Sequence, residues 1–103
     1  MRRAKVLVHG NPAGILEEQV QGKSYHFYYL PEYEGPPVSL TMPVLNREYN
    51  FDNFPPFFEG LLPEGYQLDS LLRKMKIDRN DFFGQLLIVG GDTVGAVTVE
   101  EAP

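Results

Sequence analysis

The sequence contains no cysteine and no tryptophan, and it carries two histidines. Without cysteine there is no disulfide framework and no thiolate metal site. The two histidines, His9 and His26, have no metal-type spacing between them and read as structural or surface groups on strands. No segment approaches the ~18 consecutive apolar residues that a membrane span needs. The basic start, Met1-Arg2-Arg3-Ala4-Lys5, is followed by an apolar run of only Val6-Leu7-Val8, too short for a signal peptide. A cytoplasmic location with no membrane partner is the expectation. Basic charge is also scarce: nine Lys and Arg stand against 14 Asp and Glu, for a net charge of −5. Phosphate neutralisation needs a basic stripe, so no direct nucleic-acid partner is expected. No repeats or low-complexity segments occur.

What is present is apolar weight: 43% of the 103 residues are hydrophobic and 13% aromatic. That supports a single domain, residues 1–103, burying roughly two-thirds of its extended-chain surface. The densest stretch is 51–66, with four Phe, one Tyr and two Leu interrupted by three Pro and two Gly. It is too apolar for a loop and too broken for one long helix. Asn53 is positioned to cap, and Pro55 or Pro56 suits a first helical turn, where the missing N–H costs nothing. Phe57, Phe58, Leu61 and Leu62 then give a short apolar helix, stopped by Pro63 and Gly65. Phe54, Phe57 and Phe58 are expected in the core. The turn that follows displays Leu61, Leu62, Glu64 and Tyr66, which we take as the candidate partner-binding residues, because aromatic anchors on a rigid turn make interface hot spots.

Before this knuckle the hydrophobic period is two, and after it 3.6. Strands are expected at residues 5–9, 15–20, 24–30 and 38–42, with a short edge strand around Tyr49 and Phe51. Turn chemistry lies at 10–14 and 21–23, and a Pro/Gly/acid loop at 31–37. In 24–30, Tyr25, Phe27 and Tyr29 alternate with His26, Tyr28 and Leu30, which marks an interior strand. In 38–42, Val38, Leu40 and Met42 are expected to face inward. Leu68, Leu71, Leu72 and Met75 fall at i, i+3, i+4 and i+7, one face of a helix over 66–76 that should pack on the sheet. Arg73, Lys74 and Lys76 complement its C-terminal dipole. Asp78 or Asn80 should cap a second helix over 81–89, with Phe82, Phe83, Leu86 and Leu87 inward and Gly90-Gly91 as its stop. A last strand is expected from Val94 to Val99, followed by a 100–103 tail. The fold class is α+β: a small antiparallel sheet with two or three helices on one face.

No catalytic set emerges. The carboxylate pairs Glu17/Glu18, Glu32/Glu34 and Glu59/Glu64 read as solvated charge, with no pocket to raise one pKa. Gly90-Gly91-Asp92-Thr93-Val94-Gly95 follows a helix instead of opening one, so it aims no helix N-terminus at a phosphate. Asp81-Phe82-Phe83-Gly84 has one residue too many for a kinase Asp-Phe-Gly and lacks the accompanying loops. Ser24, Ser39 and Ser70 lack a nucleophile elbow. Catalytic, cofactor and metal residues are therefore expected to be none.

The succession of motifs does resemble a known family. Tyr29-Leu30-Pro31-Glu32-Tyr33, Val38-Ser39-Leu40-Thr41-Met42-Pro43, Phe57-Phe58-Glu59-Gly60-Leu61-Leu62-Pro63-Glu64-Gly65, Asp81-Phe82-Phe83-Gly84-Gln85-Leu86-Leu87 and Gly90-Gly91-Asp92-Thr93-Val94-Gly95-Ala96-Val97 are together similar to the N-terminal subdomain of HipA-like serine/threonine kinases. The similarity spans nearly the whole chain but includes none of the kinase-core motifs. It implies the fold of that subdomain. It further implies a protein like the HipS antitoxins of tripartite HipBST systems, with no cofactor and no enzymatic activity. The partners so implied are a separately encoded HipT-like kinase toxin, which the chain would bind and neutralise, and a HipB-like helix-turn-helix protein, which would hold the operator DNA in a ternary complex. The resemblance implies an aromatic near the knuckle that reaches toward the kinase active site, and Tyr66 stands at the matching position. An N-terminal piece of a full-length HipA-type kinase, without activity of its own, and an unrelated adaptor sharing the fold remain open at this point.

With no phosphate loop, catalytic aspartate loop or metal pair in the sequence, calorimetry of the purified chain with Mg-ATP should be flat. A micromolar binding isotherm would contradict this reading.

Overall fold

Alternation of apolar and polar residues builds one antiparallel sheet, in the order β4-β3-β2-β1-β5. Its strands are β1 (Arg2–Val8), β2 (Asn11–Val20), β3 (Ser24–Tyr29), β4 (Glu48–Phe51) and β5 (Val97–Glu101). Three helices, α1 (Pro56–Glu59), α2 (Gly65–Met75) and α3 (Phe82–Val89), complete an α+β domain. The structure, a computed structural model, describes residues 1–93 and 95–102. Val94, expected to open the last strand, and Pro103, expected in the tail, lie outside the described residues.

The first hairpin is tighter than the sequence suggests. His9 and Gly10 both take positive φ (51° and 80°), as in a type I′ hairpin turn, whose twist matches the strands it joins. The turn is therefore 9–10, not 10–14, and β2 begins at Asn11. His9 consequently sits on the turn, exposed, and not on a strand. A bulge opposite Val6 and Leu7 leaves Ala13 without a β1 partner, with Gly14 opposite Val6 and Pro12 opposite Leu7. β3 is interior as expected, pairing with β2 on one side and β4 on the other. At the other edge, β5 extends to Glu101. Glu100 and Glu101, expected in a tail, belong to this strand, where Glu100 pairs with Lys5 of β1 at 3.3 Å.

The expected strand at 38–42 does not form. Residues 39 and 42 make one isolated bridge, and Leu40 is 93% exposed where it was expected inward. Val38 and Met42 are buried, but a tyrosine hydroxyl holds them in place of a ladder. The Tyr29 hydroxyl accepts from the Val38 amide (2.9 Å) and donates to the Met42 carbonyl. Pro36, Pro37 and Pro43 deny this segment the donors that strand pairing needs.

One sheet face is covered and one is open. Ala4, Val6, Val8, Leu16, Tyr25, Phe27, Tyr29, Val97 and Val99 are buried on the covered face, beneath Phe54, Phe58, Phe83 and Leu86. Phe27 meets Phe58 of α1 with ring centroids 6.1 Å apart, and Tyr25 meets Phe54 edge-on at 5.4 Å. α3 places Phe83 and Leu86 fully inside, with Phe82 and Leu87 at the margin, as its spacing predicts. Gly90 ends α3 against β5, where the Val99 amide bonds its carbonyl at 2.7 Å. A β-carbon there would lie 2.6 Å from two backbone oxygens, so only glycine fits.

Polar residues tie the rim of the covered face. Glu18, expected as solvated charge, is buried: it accepts from Arg2 Nε at 2.8 Å and from the Tyr25 hydroxyl at 3.3 Å. Burial pushes the Tyr25 hydroxyl up to about 12, with the Glu18 charge adding to the effect. Glu17 pairs on the open face with Arg3 (3.2 Å) and His26 (3.5 Å). The reason is register: Arg2 and Arg3 lie opposite Glu18 and Glu17. Arg2 also grips Asp81 through both carboxylate oxygens, at 2.7 and 3.3 Å. Asp81 in turn caps α3, accepting from the Gly84 amide at 3.1 Å. The cap is thus Asp81, not Asp78 or Asn80, because Asp78 instead closes its own turn onto the Asn80 amide. Gln85 is buried and donates to the carbonyls of Asp78 and Arg79, fixing the approach to α3.

α2 corrects a further expectation. It is amphipathic over nearly the predicted span, yet no residue of it is buried and Met75 is 46% exposed. The sheet face is already filled by Phe54, Phe58, Phe83 and Leu86, which leaves Leu68, Leu71 and Leu72 half-covered beside the domain.

Phe58→Ala should cost about 3–5 kcal/mol in chemical denaturation, the range for a fully buried aromatic, and Leu72→Ala clearly less. Equal losses would show that α2 is packed as tightly as the core.

Hydrogen bonding from Arg2, joined by the Gly84 amide, holds the Asp81 carboxyl below the usual carboxylate range despite partial burial. Its folded pKa lies below the unfolded value, so its stabilisation is complete above that value and disappears as pH falls toward the folded one. Stability should therefore decline as pH drops through about 4, and Asp81→Asn should lose part of that dependence. Identical acid sensitivity in parent and variant would refute the assignment.

Candidate partner-docking surface

The knuckle is built outward from the sheet. α1 starts without a side-chain cap: its N-cap is Pro55, with Pro56 in the first turn, so Asn53 does not play the expected capping part. Buried Pro55 and Phe58 fix the helix to the core, and Phe57 packs edge-on against Phe58 at 5.3 Å. Proline supplies the helical φ and leaves no amide to satisfy, which makes a side-chain cap dispensable. Gly60 closes α1 by donating back to Pro56 and Phe58 carbonyls. Leu61 and Leu62 continue the turn with amides bonded to Phe58 and Glu59 carbonyls, each at 3.1 Å.

The four candidate residues separate into two roles. Leu61 and Leu62 are half-buried and pack against the core cluster, so they fasten the turn. Glu64 is exposed in extended conformation (φ −130°, ψ 164°), and its carbonyl receives the Leu68 amide that starts α2. Gly65 then takes φ 58°, a left-handed conformation that would strain any other residue. The chain reverses there, and Tyr66 emerges 92% exposed on the first turn of α2. The exposed ring thus stands on a backbone set by proline, two glycines and a buried phenylalanine.

Beside this turn lie Arg73 and Lys74, whose sequence positions predict a complement to the helix dipole, and Ser70, a serine without a nucleophile elbow. Ser70, Arg73 and Lys74 lie at i+4, i+7 and i+8 from Tyr66 on the outward side of α2, where they line a shallow hollow of about 450 Å³. The helical period beginning at Tyr66 was the available signal. A separate apolar cleft of about 290 Å³, lined by Met42, Tyr49, Phe51, Pro55, Pro56 and Phe57 among others, runs along the base of the knuckle. Leu40 and Leu45 are exposed on the loop that leads to β4. Among the described residues no group of three or more His, Cys, Asp or Glu could hold a metal, and no helix is long and apolar enough to cross a membrane.

A one-sided sheet carrying an aromatic-tipped Pro/Gly turn defines a small α+β module. The comparisons place it further: the HipA N-terminal domain family model matches residues 4–100, and the chain belongs to that family. A Haemophilus influenzae protein, itself described as uncharacterized, is 36% identical over 101 residues, covering 98% of this chain and 93% of the relative. A solved structure of the N-terminal domain of HipA toxin superposes with a TM-score of 0.78 at 32% identity, covering 100% of this chain and 94% of that one.

Proposed function

We propose that this chain is a HipS-like antitoxin: a protein without phosphotransfer activity that binds a separately encoded HipT-like serine/threonine kinase in the cytoplasm and neutralises it. A HipB-like helix-turn-helix protein would complete the ternary complex and supply its DNA contacts. The observation that carries the reading is Tyr66, a nearly fully exposed ring on a turn that Leu61 and Leu62 fasten to the core. A fixed turn loses little entropy on docking, so its contacts convert efficiently into affinity. The phenol combines an apolar body with a polar tip and suits a cleft that is apolar at its mouth and wet within. Glu64, beside it, is placed to pair with a basic group on the cleft rim. Leu61 and Leu62 complete the surface from its inner side.

The Haemophilus influenzae relative supports a free-standing role, because this domain accounts for 93% of its length. The alternative, a structural N-terminal subdomain of a full-length HipA-type kinase, is favoured by the match to the N-terminal domain of HipA toxin. Co-purification with a kinase encoded by a neighbouring gene separates the two readings.

Kinase activity titrated with purified variants tests the mechanism. Tyr66→Ala should melt like the parent and lose roughly 1–3 kcal/mol of inhibition, the usual worth of an aromatic anchor. Unchanged potency for Tyr66→Ala, and for Leu62→Ala/Glu64→Ala, would remove this turn as the inhibitory element.

A further inference from the structure

We infer that the outward face of α2 is an electrostatic docking strip for a carboxylate-rich surface of a partner protein, an inference that rests on the antitoxin reading and names the chemistry of the kinase surface engaged. The strip runs from Tyr66 through Ser70 to Arg73 and Lys74, one face of a helix that buries none of its residues. Its charge is exceptional in this chain. Arg2, Arg3, Lys5 and Arg79 are each engaged in ion pairs, with Glu18 and Asp81, Glu17, Glu100 and Asp69 respectively. Arg47 donates to the carbonyls of Leu30 and Tyr33. Arg73, Lys74 and Lys76, together with Lys23 on the β2–β3 turn, make no ion pair among the described residues. A chain of net charge −5 thus places three of these four cations, Arg73, Lys74 and Lys76, at the C-terminal end of the exposed helix whose first turn carries Tyr66. Complementary charge accelerates encounter and fixes register more than it deepens affinity. The strip therefore orients the approach, while Tyr66 makes the desolvated contact. Hydroxyls at Ser70 and Tyr66 add donors for the same carboxylates.

The last-turn position of Arg73 and Lys74 also complements the helix dipole, a contribution that appears in stability and not in affinity. The experiment separates the two effects. Binding of the full chain to the kinase encoded beside it is measured at about 0.1 M and about 1 M NaCl, across which the screening length contracts from ~10 to ~3 Å. The parent should bind at least tenfold more weakly at high salt. Arg73→Glu/Lys74→Glu should bind at least tenfold more weakly at low salt and respond little to further salt. Arg73→Gln/Lys74→Gln should fall between them, and it guards against helix destabilisation by reversed charge, with melting curves recorded for all. Lys23→Glu changes net charge at a remote turn and should bind like the parent. Parent affinity that ignores salt, or a charge-reversed variant that melts and binds like the parent, overturns the strip and leaves the antitoxin reading standing. A parent chain that does not bind the kinase at either salt concentration overturns both. A salt-sensitive shift of duplex DNA by the isolated parent, lost in Arg73→Glu/Lys74→Glu, also overturns the inference, by assigning the strip to nucleic acid.

Discussion

The contact of Phe58 with Phe27 governs the arrangement of everything beyond the sheet. Phe27 sits on an interior strand at the centre of the single covered face, and both rings are completely buried. A sheet buried on one face needs a lid, and in a chain of this length two short helices must provide it. α1 is one turn long and could not persist alone, since an isolated helix of that length is far below the stable minimum. Phe58 and the flanking prolines hold it in place. The position of α1 then dictates where Leu61 and Leu62 lie, where Gly65 reverses the chain, and where Tyr66 emerges.

Hydrogen bonds from side chains perform work that ladders perform elsewhere. The Tyr29 hydroxyl gathers the proline-flanked segment at 38–42, and Arg47 gathers the carbonyls at Leu30 and Tyr33. Arg2 joins the first strand to the cap of α3 through Asp81 while satisfying buried Glu18. These ties connect segments remote in sequence to the sheet and to α3. The 61–66 turn is held differently: local proline and glycine set its shape, and the packing of Leu61 and Leu62 sets its position.

α2 stands apart from this economy. Its apolar stripe is half-covered, its outward side is polar, and no residue of it is buried. Local propensity, the short connections at each end and the Asp69–Arg79 pair retain it as a helix. Such an element contributes little to a domain's own stability.

The strands at either end of the first hairpin, the interior character of β3, the two longer helices and the apolar knuckle were all legible in the residues, because period and turn chemistry are local properties. The failures share one cause. Alternation at 38–42 is as regular as in a real strand, but the prolines around it leave no paired neighbour, and a tyrosine nine residues earlier takes the segment instead. Leu68, Leu71, Leu72 and Met75 specify an amphipathic helix without specifying what its stripe touches, and the sheet face was already occupied. Glu18 looks like surface charge until antiparallel register brings Arg2 opposite it. At the candidate site, sequence alone selected Leu61, Leu62, Glu64 and Tyr66 as one group. Only the tertiary structure separated the leucines that fasten the turn from the tyrosine and glutamate that face solvent, because burial is a property of what packs alongside and not of the residue itself.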